Sequence, residues 1–155
     1  MKKHSWLIII GILWHIFIFS QSLLPGEVSS NQSGFIVDTL YPLFSRIGFT
    51  IDVDTFTFII RKLAHFIEYF ILGIIFFLLY QKWFKNKTLW VLVLVHGLFT
   101  ASIDETIQRF TPNRSGELRD VLIDITGVFF GMVLCILVSY WIKNKKLKTG
   151  LKHSE

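Results

Sequence analysis

Four long apolar runs, separated by short blocks of charge, constrain the fold of this chain more than any other feature. The runs extend from Trp6 to about Leu24, from Leu63 to Tyr80, from Leu89 to Ile103 and from Val121 to Ile142. A helix rises about 1.5 Å per residue, so runs of about 20 apolar residues match the thickness of a bilayer. The pattern predicts an all-α polytopic membrane protein built as a bundle of four transmembrane helices.

The ends of these runs refine the prediction. Asp54 followed by Thr57 predicts a helix N-cap, so the second helix is expected to begin near Thr55. The third run covers only about 22 Å, and its polar continuation must therefore enter the protein interior rather than lipid. The first run is longer than the apolar core of a signal peptide and has no convincing cleavage site, which favours a retained helix.

The lysines predict the orientation. Ten of the eleven lysines flank one set of helix ends. The positive-inside rule places these ends, together with both termini, on the cytoplasmic side of the cell membrane. We expect residues 1–148 to form a single transmembrane domain and residues 149–155 a flexible basic cytoplasmic tail. The net charge of +5 does not indicate nucleic acid, because lysines that flank apolar segments are typical of contact with anionic lipid.

The first outer connection carries a further helical pattern. Ile36, Leu40, Leu43 and Ile47 fall on one helical face, with polar side chains off that face. This amphipathic spacing predicts a helix over residues 35–47 that lies in the outer interface of the membrane. The alternative is an ordinary loop with some apolar residues.

All the arginines are predicted to lie on the outer side, opposite to the lysines. They are Arg46, Arg61, Arg109, Arg114 and Arg119. Orientation requires only positive charge, whereas a guanidinium group also offers a planar fork of donors that suits carboxylate or phosphate. We therefore interpret the arginines as anion-binding groups. The alternative is that they simply form ion pairs with neighbouring acids.

The candidate site residues occur at helical spacing on three of the predicted spans. They are Arg61, Lys62, His65, Glu68 and Tyr69 on the second span, Asp104, Glu105, Gln108 and Arg109 after the third, Asp120 and Asp124 on the fourth, and Gln21, Arg114 and Arg119 in adjoining segments. Their spacing predicts that they meet one or two turns below the outer surface. Ionisable residues at membrane depth are functional-site candidates, although a structural polar cluster is the alternative.

Two smaller patterns concern helix packing. Gly127 and Gly131 form a G-x-x-x-G seam, which predicts close approach of another helix. His15 and His96 are predicted near mid-membrane, where they can hydrogen-bond to each other in a structural role. The one cysteine, Cys135, cannot form a disulfide within the chain.

Two segments resemble motifs of the VanZ-like family. The string Arg61-Lys62-Leu63-Ala64-His65-Phe66-Ile67-Glu68-Tyr69 resembles its R-K-x-x-H-x-x-E-Y segment, and the residues from Asp104 to Arg114 resemble its D-E-x-x-Q-x-F-x-P-x-R segment. The likeness covers nearly the whole chain, but Asp124 stands where Asn is expected. The resemblance implies a VanZ-like bacterial envelope protein of the membrane, in a family named for low-level resistance to teicoplanin, a lipidated glycopeptide antibiotic.

Three hypotheses about function remain open at the level of sequence. In the first, the chain binds an anionic lipid headgroup, a lipid-linked envelope precursor or a lipoglycopeptide. In the second, it is a hydrolase or transferase acting on a lipid-linked phosphate, with His65 and Glu68 as acid–base groups. In the third, it is a structural envelope assembly factor. No cofactor and no metal ion are expected, because the arginines already supply positive charge. A metal site of His65, Glu68 and nearby aspartates is the weaker alternative.

Overall fold

The chain folds into helices joined by short connections. The computed structural model describes residues 5–48 and 50–151, with side chains over 6–48 and 50–146, and all regular elements in this part are α-helices. They are α1 (Ser5–Ser22), α2 (Gly26–Arg46), α3 (Val53–Tyr80), α4 (Asn86–Phe110) and α5 (Leu118–Leu151). The predicted all-α class is confirmed. Of the predicted tail, residues 149–151 continue α5, and residues 152–155 lie outside the described part of the chain.

The number of spans follows from helix length and hydropathy. Helices α3, α4 and α5 are each long and apolar enough to cross a membrane, and α1 taken together with α2 gives a fourth candidate span. The predicted four spans therefore equal the upper value of this count. We call the end of the bundle where α1 and α4 end, and where α3 and α5 begin, the polar end.

The predicted N-cap and start of the second span were wrong by two residues. Asp52, and not Asp54, is the N-cap of α3, since its carboxylate accepts hydrogen bonds from the Thr55 backbone N at 2.8 Å and the Thr55 Oγ1 at 2.7 Å. Asp52 has an extended backbone, whereas Asp54 already lies in the first helical turn. The hydrogen bonds from the Thr55 backbone and hydroxyl lower the pKa of Asp52.

The amphipathic segment forms a longer helix than the sequence predicted. Helix α2 begins at Gly26 rather than near residue 35, and it leaves α1 at an angle of 105°. The segment after α4 fixes this corner, because Thr111 Oγ1 donates to the Ser22 carbonyl at 2.9 Å and Gly26 N donates to the Pro112 carbonyl at 3.0 Å. The helix was predicted to start too late because its first turns are polar and show no apolar periodicity.

The glycine seam predicted for the last span is confirmed. A Cβ atom on Gly127 would lie 2.5 Å from the Phe66 carbonyl oxygen, and one on Gly131 would lie 2.2 Å from the Phe70 carbonyl oxygen. Both distances are too short for a side chain, so only glycine permits this approach of α5 to α3. The seam holds the third and fourth turns of α5 against the middle of α3.

A chain of hydrogen bonds joins α1, α3 and α4 away from the polar end. His15 Nδ1 donates to the Gly11 carbonyl at 2.8 Å, so in the neutral ring Nε2 is left as an acceptor. His96 Nε2 then donates to His15 Nε2 at 3.1 Å, and Tyr80 donates its hydroxyl to His96 Nδ1 at 3.0 Å. The predicted contact between the two histidines is confirmed, and every ring nitrogen has a partner. We call this set the histidine chain.

Candidate functional site

A pocket of about 150 Å³ opens at the polar end, where α2 covers α3 and the loop after α4. Its lining residues are Gln21, Ser22, Ser29, Gln32, Ser33, Ile36, Ile60, Arg61, Ala64, His65, Glu68, Gln108 and Arg114. Pockets for drug-sized ligands have volumes of about 300–1,000 Å³. This pocket is therefore suited to a compact polar group rather than to a large molecule.

The wall that α2 contributes was missed by the sequence interpretation. Ser29, Gln32, Ser33 and Ile36 all line the pocket, and their spacing of three, four and seven residues places them on one helical face. The signal was present as a polar stripe. It was overlooked because the predicted helix began only at residue 35.

Two of the predicted arginines line the pocket. Arg114 donates from Nη1 to the Gln21 carbonyl at 2.7 Å, while its buried Nε has no hydrogen-bond partner among the described residues. Burial, and then the charge of Arg61, lower the pKa of the Arg114 guanidinium. Arg61 is exposed at the pocket and forms no hydrogen bond or ion pair with the described part of the chain. An anion between these two guanidinium groups would relieve their repulsion.

Three other predicted cations lie outside the pocket. Arg109 is exposed and donates from Nε to the Gly116 carbonyl at 3.4 Å. Arg119 is exposed on a separate surface, beside apolar side chains of α3 and α5. Lys62 forms a salt bridge with Asp120, which links α3 to α5. Arg61 and Arg114 are therefore the arginines available to a ligand in the pocket.

Beneath the pocket, side chains of α3, α4 and α5 meet in one cluster. His65, Asp104, Glu105 and Asp124 each place one potential ligand atom within 4.8 Å of the corresponding atoms of the other three. The shortest link between α3 and α5 here joins His65 Nδ1 and Asp124 Oδ1, at 3.5 Å. We call these four residues the deep cluster. The structure thus brings together groups that the sequence predicted to converge from three spans.

Neighbouring donors orient two carboxylates of the deep cluster. Ser22 Oγ donates to Asp104, and Gln108 Nε2 donates to Asp104 Oδ2 at 3.2 Å and to Glu105 Oε1 at 3.3 Å. The Glu117 backbone N donates to Glu105 Oε2 at 2.7 Å. These contacts fix both carboxylates, and they explain why Gln108 and Ser22 face inward.

Comparison with known proteins identifies the family of this chain. The family model described as VanZ/LLP1 matches residues 6–139, which include all five helices in whole or in large part. The chain belongs to the VanZ/LLP1 family. No curated protein and no solved structure matches it. The predicted resemblance is therefore confirmed.

In this VanZ/LLP1 protein, atoms of the deep cluster and the Tyr69 hydroxyl, which lies outside the cluster, are buried without hydrogen bonds to the described part of the chain. Within the described residues, both Asp124 carboxylate oxygens, His65 Nδ1 and the Tyr69 hydroxyl have no hydrogen-bond partner. Asp124 and Tyr69 are both 0% exposed. An unsatisfied buried polar group costs about 1–3 kcal/mol, and a charged group costs more. The cluster is therefore not a self-sufficient hydrogen-bond network.

Glu68 also faces this region of the VanZ/LLP1 bundle. It is half-buried and lines the pocket, and its carboxylate makes no hydrogen bond or salt bridge with the residues the structure describes. Its backbone carbonyl accepts a hydrogen bond from Trp14 Nε1 at 3.0 Å, which joins α3 to α1. Glu68 thus lies in the region where the site residues were predicted to meet.

Proposed function

We propose that this VanZ/LLP1 protein binds the anionic headgroup of a membrane lipid, such as a lipid-linked phosphate of an envelope precursor. The observation that carries the proposal is the meeting of Arg61 and Arg114 in a pocket where most of their donors are unused by the protein. Guanidinium groups bind phosphate or carboxylate through paired, charge-assisted hydrogen bonds. Such a protein acts by sequestering or presenting its ligand.

The charge distribution and the corner between α1 and α2 support a site at the outer leaflet. The lysines favour placing both termini in the cytoplasm, so that the polar end faces outward. Helix α2 then turns by 105° toward the membrane plane and exposes apolar side chains such as Phe35 and Ile47. An interfacial helix of this kind can contact the acyl chains of a lipid whose headgroup lies in the pocket.

A direct test is native mass spectrometry of the detergent-purified protein. We expect one retained anionic lipid per chain, and we expect Arg61→Lys or Arg114→Lys to reduce retention by about tenfold or more, because lysine keeps the charge but loses the fork. Arg109→Lys is the matched control, since Arg109 lies outside the pocket. The proposal fails if the wild type retains no anionic lipid, or if all three variants behave alike.

A lipidated glycopeptide is the second ligand of the same chemical class. The pocket of about 150 Å³ can admit only one acidic group of such a molecule, with its lipid chain lying against α2. Expression of the protein in a susceptible bacterium should then raise the inhibitory concentration of teicoplanin, with a smaller effect on a glycopeptide that lacks a lipid chain. Equal effects on both antibiotics would exclude recognition through the membrane.

A second candidate function is hydrolysis or transfer of a lipid-linked phosphate. His65 lines the pocket and lies 3.5 Å from Asp124, so that a carboxylate can orient its ring while Arg61 and Arg114 stabilise developing negative charge. The discriminating variant is His65→Gln. An enzyme would lose turnover of a lipid-linked phosphate while retaining the lipid, whereas a binding protein would show no turnover in either form.

A further inference from the structure

The geometry points to a divalent metal site in the deep cluster, with His65, Asp104, Glu105 and Asp124 as the ligands. The site lies beneath the proposed headgroup pocket and shares only His65 with its lining, while Arg61 and Arg114 belong to the pocket and not to the cluster. One imidazole and three carboxylates form a mixed nitrogen and oxygen donor set. Such a set suits Zn²⁺ or Mn²⁺ better than a purely oxygen-bound Ca²⁺ or Mg²⁺.

The distances within the cluster fit one ion. The four potential ligand atoms all lie within 4.8 Å of one another. Two ligands on opposite sides of an ion at bond lengths of about 2.0–2.2 Å are separated by at most about 4.4 Å. Four tetrahedral ligand atoms at these bond lengths lie about 3.5 Å apart, so the most distant atoms of the cluster must approach one another by about 1 Å to bind one ion together.

The unpaired atoms are an independent observation that points to a cation. Asp124 is 0% exposed, and neither of its oxygens has a hydrogen-bond partner among the described residues. His65 Nδ1, which faces Asp124 at 3.5 Å, also has none. These two buried atoms face each other at 3.5 Å, and an ion bound by both would accept a lone pair from each.

The other two ligands already have the outer support that metal sites need. Hydrogen bonds from Ser22, Gln108 and the Glu117 backbone hold the carboxylates of Asp104 and Glu105 in place. Each carboxylate has about four lone-pair positions, so these hydrogen bonds leave room for a metal bond. Outer contacts of this kind orient ligands and raise metal affinity.

The charge balance at the polar end explains why the sequence-based expectation of no metal ion is revised here. That expectation counted four arginines near the site, but Arg109 and Arg119 lie elsewhere. Within the described part of the chain, the carboxylates of Glu68, Asp104, Glu105 and Asp124 form no salt bridge with lysine or arginine, and Asp124 pairs only with His65. A divalent ion bound by His65, Asp104, Glu105 and Asp124 would neutralise carboxylate charge that neither Arg61 nor Arg114 reaches through a salt bridge among the described residues.

The first experiment measures metal binding directly. The full chain is purified in detergent, stripped with a chelator and titrated with MnCl₂, with free Mn²⁺ read by electron paramagnetic resonance, and with ZnCl₂ by calorimetry. We expect one ion per chain, and we expect Asp124→Asn and Asp104→Asn to weaken binding by more than about tenfold. Asp38→Asn is the matched control, because Asp38 is exposed on α2, and it should bind like the wild type.

The second experiment separates a metal site from a buried ion pair between protonated His65 and Asp124. For a metal site, Mn²⁺ raises the melting temperature of the wild type but not that of Asp124→Asn, and in chelator the variant melts no lower than the wild type. For an ion pair, the variant melts lower in chelator and Mn²⁺ has no effect. That second pattern overturns the metal site, as does a wild type that binds neither ion below about 1 mM.

The two proposals can fail separately. Metal titration is carried out on protein washed free of lipid, and lipid retention is measured on the wild type and on Arg61→Lys in chelator. Metal binding without selective lipid retention supports the deep cluster and rejects the headgroup pocket. Lipid retention that depends on Arg61 in a protein that binds neither Mn²⁺ nor Zn²⁺ rejects the metal site alone.

Discussion

The histidine chain and the deep cluster are both polar networks inside an apolar bundle, but they differ in completeness. In the histidine chain every ring nitrogen has a partner, from the Gly11 carbonyl at one end to the Tyr80 hydroxyl at the other. In the deep cluster, Asp124 has no hydrogen bond among the described residues. A network in which every buried polar group is hydrogen-bonded stabilises the fold, whereas unsatisfied buried groups are available to bind a ligand.

The two networks also depend on different helix interfaces. The histidine chain joins α1, α3 and α4 through His15, Tyr80 and His96, and it needs nothing from α5. The deep cluster needs α5, because Asp124 reaches His65 only where α5 packs closely on α3. Separate substitutions can therefore disturb one network and spare the other.

The largest expected effect follows from closing the glycine seam. In Gly131→Leu the new Cβ would lie 2.2 Å from the Phe70 carbonyl oxygen, so α5 must move away from α3. Overpacking of this kind typically costs about 1–3 kcal/mol, and a backbone obstacle places this variant at or above the upper end. Melting in detergent, followed by circular dichroism, should drop sharply, and metal and lipid binding should be lost together.

The control for the seam is Gly34→Leu, the same substitution on α2, where a Cβ atom would meet nothing within 4 Å. It should melt close to the wild type. If Gly131→Leu also had the melting temperature of the wild type and retained its ligands, the seam would not be what positions Asp124. The contrast between the two networks would then lose its structural basis.

The next largest effect is expected from breaking the histidine chain. His96→Leu leaves the Tyr80 hydroxyl without this partner, at a cost of about 1–3 kcal/mol, whereas His15 Nε2 keeps its contact with Thr100 Oγ1 at 3.2 Å. The double variant His15→Leu/His96→Leu should lose less stability than the sum of the two single variants, because both single changes remove the same hydrogen bond between the two histidines. Thermal unfolding of the three variants measures this coupling.

Binding provides the other half of that prediction. Well below its melting temperature, His96→Leu should retain anionic lipid and Mn²⁺ with wild-type affinity, since His96 contacts neither the pocket nor the deep cluster. A tenfold loss of either ligand in folded His96→Leu would show that the histidine chain is part of the functional site, and the two networks could no longer be treated as separate.

The sequence predicted the parts of this arrangement that depend on position within a single helix. Helical spacing correctly placed His65 near Asp104 and Asp124, and the small-residue pattern correctly predicted the close approach at Gly127 and Gly131. The contact between the two histidines followed from their similar depth in two spans. These inferences succeed because apolar periodicity fixes both the inward face of a span and the depth of each residue.

The connections between spans were harder to predict, for a physical reason. Arg109 and Arg114 lie five residues apart around the end of α4, yet one points to Gly116 and the other into the pocket. No periodicity governs a chain that leaves a helix, so the direction of such side chains depends on tertiary contacts. The same reason explains why the pocket wall of α2, including Gln32, was missed.

A smaller effect is expected from removing the Tyr80 hydroxyl of the histidine chain or the buried Tyr69 hydroxyl, which belongs to neither network. Tyr80→Phe deletes the donor to His96 Nδ1 and should cost about 0.5–1.5 kcal/mol. Tyr69→Phe deletes a hydroxyl that is fully buried and has no partner among the described residues, so it should leave stability unchanged or slightly higher. Chemical denaturation of both variants in the same detergent compares them. Equal losses would mean that the Tyr69 hydroxyl is hydrogen-bonded in the folded protein.

The smallest effect concerns a carboxylate whose partners are all known, and it sets the baseline for the unpaired ones. Asp52 caps α3 through Thr55, and those hydrogen bonds hold its pKa below the ordinary value of 3.8. Because the folded-state pKa is lowered, the stabilisation is complete above the unfolded value and is lost as the pH falls through the folded value. Asp52→Ala should therefore melt slightly lower than the wild type at neutral pH, with a gap that closes below pH 3.8.

Asp54→Ala is the matched control for this last variant, because Asp54 lies in the first turn of α3 and does not cap the helix. It removes the same charge two residues away, so it should produce a smaller shift without the same dependence on acid. Equal shifts would mean that the helix dipole, and not the hydrogen bonds to Thr55, accounts for the effect. Asp52 would then be a poor reference for Asp124, because the comparison assumes that the two carboxylates differ in their hydrogen bonds, which Asp52 has and Asp124 lacks among the described residues.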